Sequence, residues 1–376
     1  MGTLRLNYAN VMRGCGETDQ KPVTPMASGG ESDIYRLIDP WPAFTAANLS
    51  AKDKDHLHDV AVSGIPILFK RYKDSEFRGY ESAMGRHIER LIERYQSMGR
   101  DDQNVLRLYC AWPLAPVYDG FRFRGFLLPD VNHTANGGPA SDVTWQGRRY
   151  RTTGNLAAWL QNKEEMEEDS TLRFPLTGAG RANMIAAILT YCHTVHDVLE
   201  MVIGDISGKN ILAYVPAPDD QARYQCQPHF IEIDTYRFSG SVPAMPQRDT
   251  YGWFPPEHDA QEDTDASDSF FAEDDEDETS DSAESTDSLR QARMSLQTQQ
   301  TDVYKIALLI ARMADRERGA ARNFYTSPHE RERILRILTE DYSAWFGRLV
   351  ISALHCDPGR RPDMRDLYTE FMRNCY

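Results

Sequence analysis

Three side chains in the second half of the chain have the types and order needed to handle a phosphate. Asp205 and Asn210 stand in Gly204-Asp205-Ile-Ser-Gly-Lys-Asn210, just ahead of the apolar run Ile211–Val215. Asp234 follows a second apolar run, His229–Ile233. Moving a phosphoryl group calls for one carboxylate beside the attacking hydroxyl. It also calls for an amide oxygen and a second carboxylate to hold magnesium on the phosphates. Asp205, Asn210 and Asp234 supply that set. A spacing of D-x-x-x-x-N alone is common, and an Asp in a turn followed by an Asn at a strand entry reads as simple turn chemistry. The weight comes from further positions that agree independently.

Lys70 closes the apolar strand pattern Ile67-Leu-Phe-Lys70, and Glu89 lies 19 residues later in a segment with helical periodicity. Glu81 and Glu93 are rivals for any role given to Glu89. Upstream, Gly29-Gly30-Glu31 opens a turn-rich stretch that leads into Ile34-Tyr35. Downstream stand Phe254-Pro-Pro-Glu257, Thr301-Asp302-Val-Tyr304 and Asp357-Pro-Gly-Arg-Arg361-Pro362. Taken together these elements resemble the protein kinase superfamily over about Thr24 to Met372. Gly29-Gly30-Glu31, Trp112-Pro113, Gly125-Phe126-Leu-Leu-Pro129, Ile203-Gly-Asp-Ile and Ile233-Asp-Thr resemble one bacterial branch in particular. Its kinase-like domains are associated with helix-hairpin-helix and tellurium-resistance-type phosphatase or adhesion-domain partners.

The resemblance implies an α+β, bilobal kinase-like fold, with a small antiparallel-sheet N-lobe and a mainly helical C-lobe. On that basis residues 1–21 are a flexible tail, 22–128 the N-lobe and 129–376 the hinge and C-lobe. ATP and Mg2+ are the implied cofactors and a protein hydroxyl the implied acceptor, as in a Ser/Thr protein kinase. Asp205 would orient the hydroxyl, and Asn210 and Asp234 would hold the metal. Lys70, paired with Glu89, would grip the phosphates. Gly29 and Gly30 would cover the nucleotide, Pro129 and Val131 would meet adenine at the hinge, and Leu212 would floor its pocket. Asp302 would brace the Asp205 loop, and Glu257 would pair with Arg361.

This chain also departs from the family pattern. Ile203-Gly204-Asp205 lacks the usual arginine, which implies activity independent of activation-loop phosphorylation. Ser207 stands where a lysine is usual. Asp234-Thr-Tyr236 lacks the flexible glycine and the phenylalanine. Leu68 replaces a small residue over adenine, and of the three loop glycines only Gly29 matches. A pseudokinase scaffold, or an adenylyl or small-molecule phosphotransferase on the same fold, therefore stays open.

The elements that must position these residues read as β–β–helix–β–β in the first third. Strands are predicted near Ile34, over Ile65–Tyr72, around Val105–Trp112 and over Phe121–Leu128, with a helix over Glu81–Gln96. Pro129–Thr153 reads as a long inserted loop. Beyond it the pattern is mostly helical, over Arg181–Leu199, Asp302–Ala314 and Tyr342–His355.

Composition sets the outer bounds. The chain has 376 residues, with 42 Lys and Arg against 57 Asp and Glu, for a net charge of −15. Fourteen of the acids fall between Asp259 and Ser288, a stretch with no Lys or Arg, so the rest is close to neutral. No basic stripe offers a nucleic-acid footprint. The segment from about 260 to 300 is too polar to offset its ordering entropy and reads as a disordered acidic insertion. Recruitment of a basic partner and a passive solvated role are both open for it. Six scattered cysteines without a C-x-x-C pair suit a reducing cytoplasm, and no apolar run reaches membrane-spanning length. The N-terminus lacks a signal-peptide layout, and Leu6 rules out a myristoylation motif.

Overall fold

Helices and strands are both well represented, so the chain is α+β. It divides into two compact units, Met1–Ala135 with His229–Asp234, and Asn136–Pro228 with Thr235–Tyr376. The computed structural model describes residues 5–39, 66–130, 141–152, 176–245, 250–259, 297–315 and 327–376. Positions 19, 146–147, 217 and 251 are excepted, and Phe44 and Leu156 are added.

In the first unit, β1 (Leu6–Asn7) runs directly into α1 (Tyr8–Gly14). The Asn7 side chain accepts from the Asn10 amide at 3.2 Å and caps the helix. There follow β2 (Ala27–Ser28), β3 (Ser32–Leu37), β4 (Ile67–Tyr72), the single turn α2 (Asp74–Phe77), α3 (Glu81–Ser97), α4 (Arg100–Tyr109), β5 (Ala115–Asp119) and β6 (Arg122–Pro129). The six strands form one sheet in the order β1–β5–β6–β4–β3–β2. β1 pairs with β5 in parallel, with Leu6 opposite Val117, and the other neighbours are antiparallel. The sheet is therefore mixed, where the sequence predicts an antiparallel one.

Two differences from the sequence reading share a cause. Residues 1–21 are predicted as a flexible tail, yet Leu6, Val11, Met12 and Cys15 are buried in one core with Tyr35, Phe69, Val117 and Leu127. These apolar residues are spaced too irregularly among Asn, Arg and Gly to announce an element, and tertiary burial orders them. The strand predicted at Val105–Trp112 is the end of α4, and the strand itself falls at Ala115–Asp119. Asp101 and Asp102 suit the positive N-terminus of that helix. Gln103 donates to the carbonyls of Tyr95 and Met98, and Leu106 and Tyr109 turn inward. The predicted helix at Glu81 is present as α3, burying Met84, Ile88, Leu91, Ile92 and Tyr95 along one face.

The second unit begins with the hairpin β7 (Ser141–Trp145) and β8 (Arg148–Thr152), inside the stretch predicted as loop. Next is α5 (Gly178–His193), which continues as a π-helical turn over Thr194–Val198. β9 (Met201–Val202) precedes β10 (Ile211–Val215), which pairs with β8. β11 (Gln227–Phe230) carries the chain into the first unit, and β12 (Arg237–Phe238) returns to pair with β9. The remaining elements are helical: the turn α6 (Pro256–Asp259), α7 (Gln299–Ala314), α8 (Pro328–Asp341), α9 (Ala344–Ala353) and α10 (Met364–Asn374).

α7 is buried along nearly its whole length, and Thr298 and Thr301 close its first turn as a reciprocal cap. Most of the acidic insertion, 260–296, lies outside the described residues. Among the described residues no helix is long and apolar enough to cross a membrane.

Candidate active site

Lys70 sits on β4 between two strands, opposite Ile34 of β3 and Phe126 of β6. Gly125 permits that pairing. Its φ is 150°, and a Cβ there would lie 1.9 Å from the Lys70 carbonyl oxygen. The Lys70 ammonium is buried and makes three short contacts. It reaches Glu232 Oε2 at 2.6 Å and Asp234 Oδ1 and Oδ2 at 3.0 and 2.9 Å. The Tyr72 hydroxyl donates to Asp234 Oδ2, and its ring stacks on Phe77 with centroids 4.2 Å apart.

The turn that delivers the two acids is local. The Phe230 carbonyl accepts from the Ala111 amide at 3.0 Å, Glu232 takes a left-handed φ of 60°, and a 3-10 turn over Ile233–Thr235 presents Asp234 inward. One cation thus faces two carboxylates. Burial alone would push the Asp234 carboxyl up, but the charge and hydrogen bonds of Lys70, with the Tyr72 hydroxyl, hold it below its ordinary value. Burial alone would lower Lys70, and the charges of Asp234 and Glu232 reverse that. Burial, then the Asp234 charge, raises Tyr72 well above its ordinary value and keeps it a donor.

Glu89 does not join this cluster. It lies on α3, where its Oε1 accepts from Arg5 Nε at 2.7 Å and from the Tyr118 hydroxyl at 2.8 Å. The expected Lys70–Glu89 pair is absent because the ordered N-terminal segment brings Arg5 to Glu89. Gly29 and Gly30 form the β2–β3 turn, closed by the Gly29 amide donating to the Ser32 carbonyl at 2.9 Å. The Gly29 carbonyl accepts from Lys73 at 2.5 Å, and a Cβ on Gly30 would meet nothing within 4 Å. Pro129 ends β6 opposite Ile67. The next residue, Asp130, donates its amide to the Pro66 carbonyl and accepts from Arg36. Val131 lies outside the described residues.

In the second unit, Asp205 and Asn210 occupy a loop whose backbone is pinned from α7. Asp302 accepts from the amides of Ile203 at 2.6 Å and Gly204 at 2.8 Å, and His196 lies 3.0 Å from the same carboxylate. Lys305, one turn along, donates to the Gly204 carbonyl at 2.6 Å. Gly204 needs this freedom, with a φ of 84°. Asn210 Nδ2 donates to Asp205 Oδ2 at 2.7 Å and to the Asp205 carbonyl at 3.0 Å. Both bonds use the amide nitrogen, and neither uses Oδ1. The Thr250 hydroxyl donates to Asp205 Oδ1 at 2.8 Å. Leu212 is buried on β10. Ser207 Oγ is buried with no hydrogen-bond partner among the described residues.

Further along, Arg361 grips Glu257 with two bonds, at 2.8 and 2.5 Å, as the resemblance implies. It also donates to the carbonyls of His355 and Gln300.

Of the expected site residues, the first unit brings Lys70 to Asp234, and the second brings Asp205 to Asn210. Sequence reading missed Glu232, Tyr72 and Thr250. Glu232 did leave a signal, as an acid interrupting the apolar pattern Phe230-Ile-Glu-Ile233. Thr250 left only its place shortly before Phe254-Pro-Pro-Glu257.

The donors are hard oxygens, which suits Mg2+ better than a softer metal. Among the described residues, no group of three or more His, Cys, Asp and Glu could cage a metal alone. Set beside models of known protein families and beside curated proteins, the chain matches none.

Proposed function

We propose that the chain is an ATP-dependent phosphotransferase of bilobal, kinase-like fold that moves the γ-phosphoryl group of MgATP to a protein serine or threonine. The observation that carries this is the buried contact of Lys70 with both oxygens of Asp234, across 164 residues of sequence. A lysine able to hold phosphate oxygens and a carboxylate able to hold their metal have little other reason to be buried together. The Asp302 brace and the Glu257–Arg361 pair lend support from independent parts of the chain.

Magnesium, when bound with ATP, would neutralise developing charge on the phosphates. Asp234 and Asn210 would hold it. Asp205 orients the acceptor hydroxyl and receives its proton, a contact that Thr250 already makes in kind. Lys70 holds phosphate oxygens. As the new oxygen–phosphorus bond forms, the bond from the γ-phosphorus to the bridging oxygen breaks and ADP departs.

One observation favours a second reading, a scaffold without turnover. Ser207 stands where the family has a cation, and its buried hydroxyl has no hydrogen-bond partner among the described residues.

Intact-mass spectrometry after incubation with MgATP and mixed acceptor proteins separates the two, with Asp234→Asn as control. Phosphoryl adducts in the wild type alone are expected. Adenylyl adducts would move the reaction to the α-phosphate, and saturable ATP binding without any adduct would favour the scaffold.

A further inference from the structure

Lys70 has three ammonium hydrogens and three short acceptors, two on Asp234 and one on Glu232. The Glu232 contact, at 2.6 Å, is the shortest of the three. Glu232 makes it from a left-handed backbone, and among the described residues only Glu200 shares that conformation without being glycine. A glycine would take this φ freely, so the glutamate here holds a backbone that side chains disfavour. The same turn aims residues 232 and 234 at one nitrogen. On α3, meanwhile, Glu89 is engaged by Arg5 and Tyr118.

We infer that Glu232 is the positioning residue for Lys70, the role the sequence suggested for Glu89, and that it keeps the lysine in place when Asp234 serves a metal. The second half of this rests on the phosphotransfer reading. Two of the three ammonium hydrogens then come free for phosphate oxygens, while the third stays with Glu232. Because Glu232 sits two residues from Asp234 on one short turn, Lys70 is positioned without any movement of α3.

The test is acetylation of Lys70 in the full-length protein by an N-hydroxysuccinimide ester, followed by peptide mass spectrometry, with and without MgATP. Glu232→Gly and Glu232→Gln are compared with Glu89→Gln and wild type. Loss of one charge-assisted hydrogen bond should speed Lys70 acetylation about tenfold in Glu232→Gly, and by less in Glu232→Gln. Glu89→Gln should label at the wild-type rate. Labelling is compared at a temperature at which circular dichroism shows every variant fully folded, so faster labelling there cannot be put down to unfolding.

Equal labelling of Glu232→Gly and wild type, or acceleration in Glu89→Gln, would overturn the inference. A separate arm addresses the phosphotransfer reading: MgATP should slow labelling in the wild type. If MgATP has no effect while the contrast between the Glu232 and Glu89 variants holds, that reading falls and the hold of Glu232 on Lys70 stands.

Discussion

The Lys70 cluster and the Asp205 loop are held in opposite ways. In the first, the functional side chains hold one another. Lys70, Asp234, Glu232 and Tyr72 are each other's partners, and three of the four are buried. In the second, Asp302 and Lys305 hold the backbone from α7, and Asp205 and Asn210 take no part in that hold. The charge cluster is thus sensitive to changes in its own four side chains, whereas the loop is sensitive to residues of α7 that hold only its backbone.

The largest effect should come from Asp302→Ala, which strands the two buried amides of Ile203 and Gly204. A loss of about 4 kcal/mol, read as a lower urea midpoint, is expected. A loss below about 1 kcal/mol would show that the loop holds itself. Next is Lys70→Met, which leaves two carboxylates without their cation and should cost about 3 kcal/mol. Adding Asp234→Asn to it should recover part of that loss in a double-mutant cycle, and strict additivity would break the picture of mutual holding. The smallest is Asn210→Ala, costing about 1 kcal/mol in stability. On the proposed phosphotransfer reading its activity should nonetheless be lost, and a stability cost as large as that of Asp302→Ala would erase the contrast.

Much of the loop was legible in the sequence, because its pieces are contiguous and their order carries meaning. Asp205, Asn210 and the strand Ile211–Val215 stand where the pattern puts them, Asp302 braces the loop, and Arg361 meets Glu257. The lysine cluster was legible only in part. Lys70 and Asp234 could be named, but their common partner depends on the φ of Glu232 and on which acid Arg5 engages. Neither leaves a periodicity. β1 and α1 were illegible for a related reason, since Leu6, Val11 and Met12 follow no single period and are ordered by the sheet they cover.

The first unit is not finished when its own strands are. It is completed by His229–Asp234, and Lys70 meets its counter-charge 164 residues later. On the ribosome, β4 emerges long before that partner exists, and its lysine has to stay hydrated until the turn at Glu232 arrives. Folding of the amino-terminal unit is thereby tied to synthesis of the middle of the chain, and a fragment ending before Glu232 would carry Lys70 without either of its carboxylate partners.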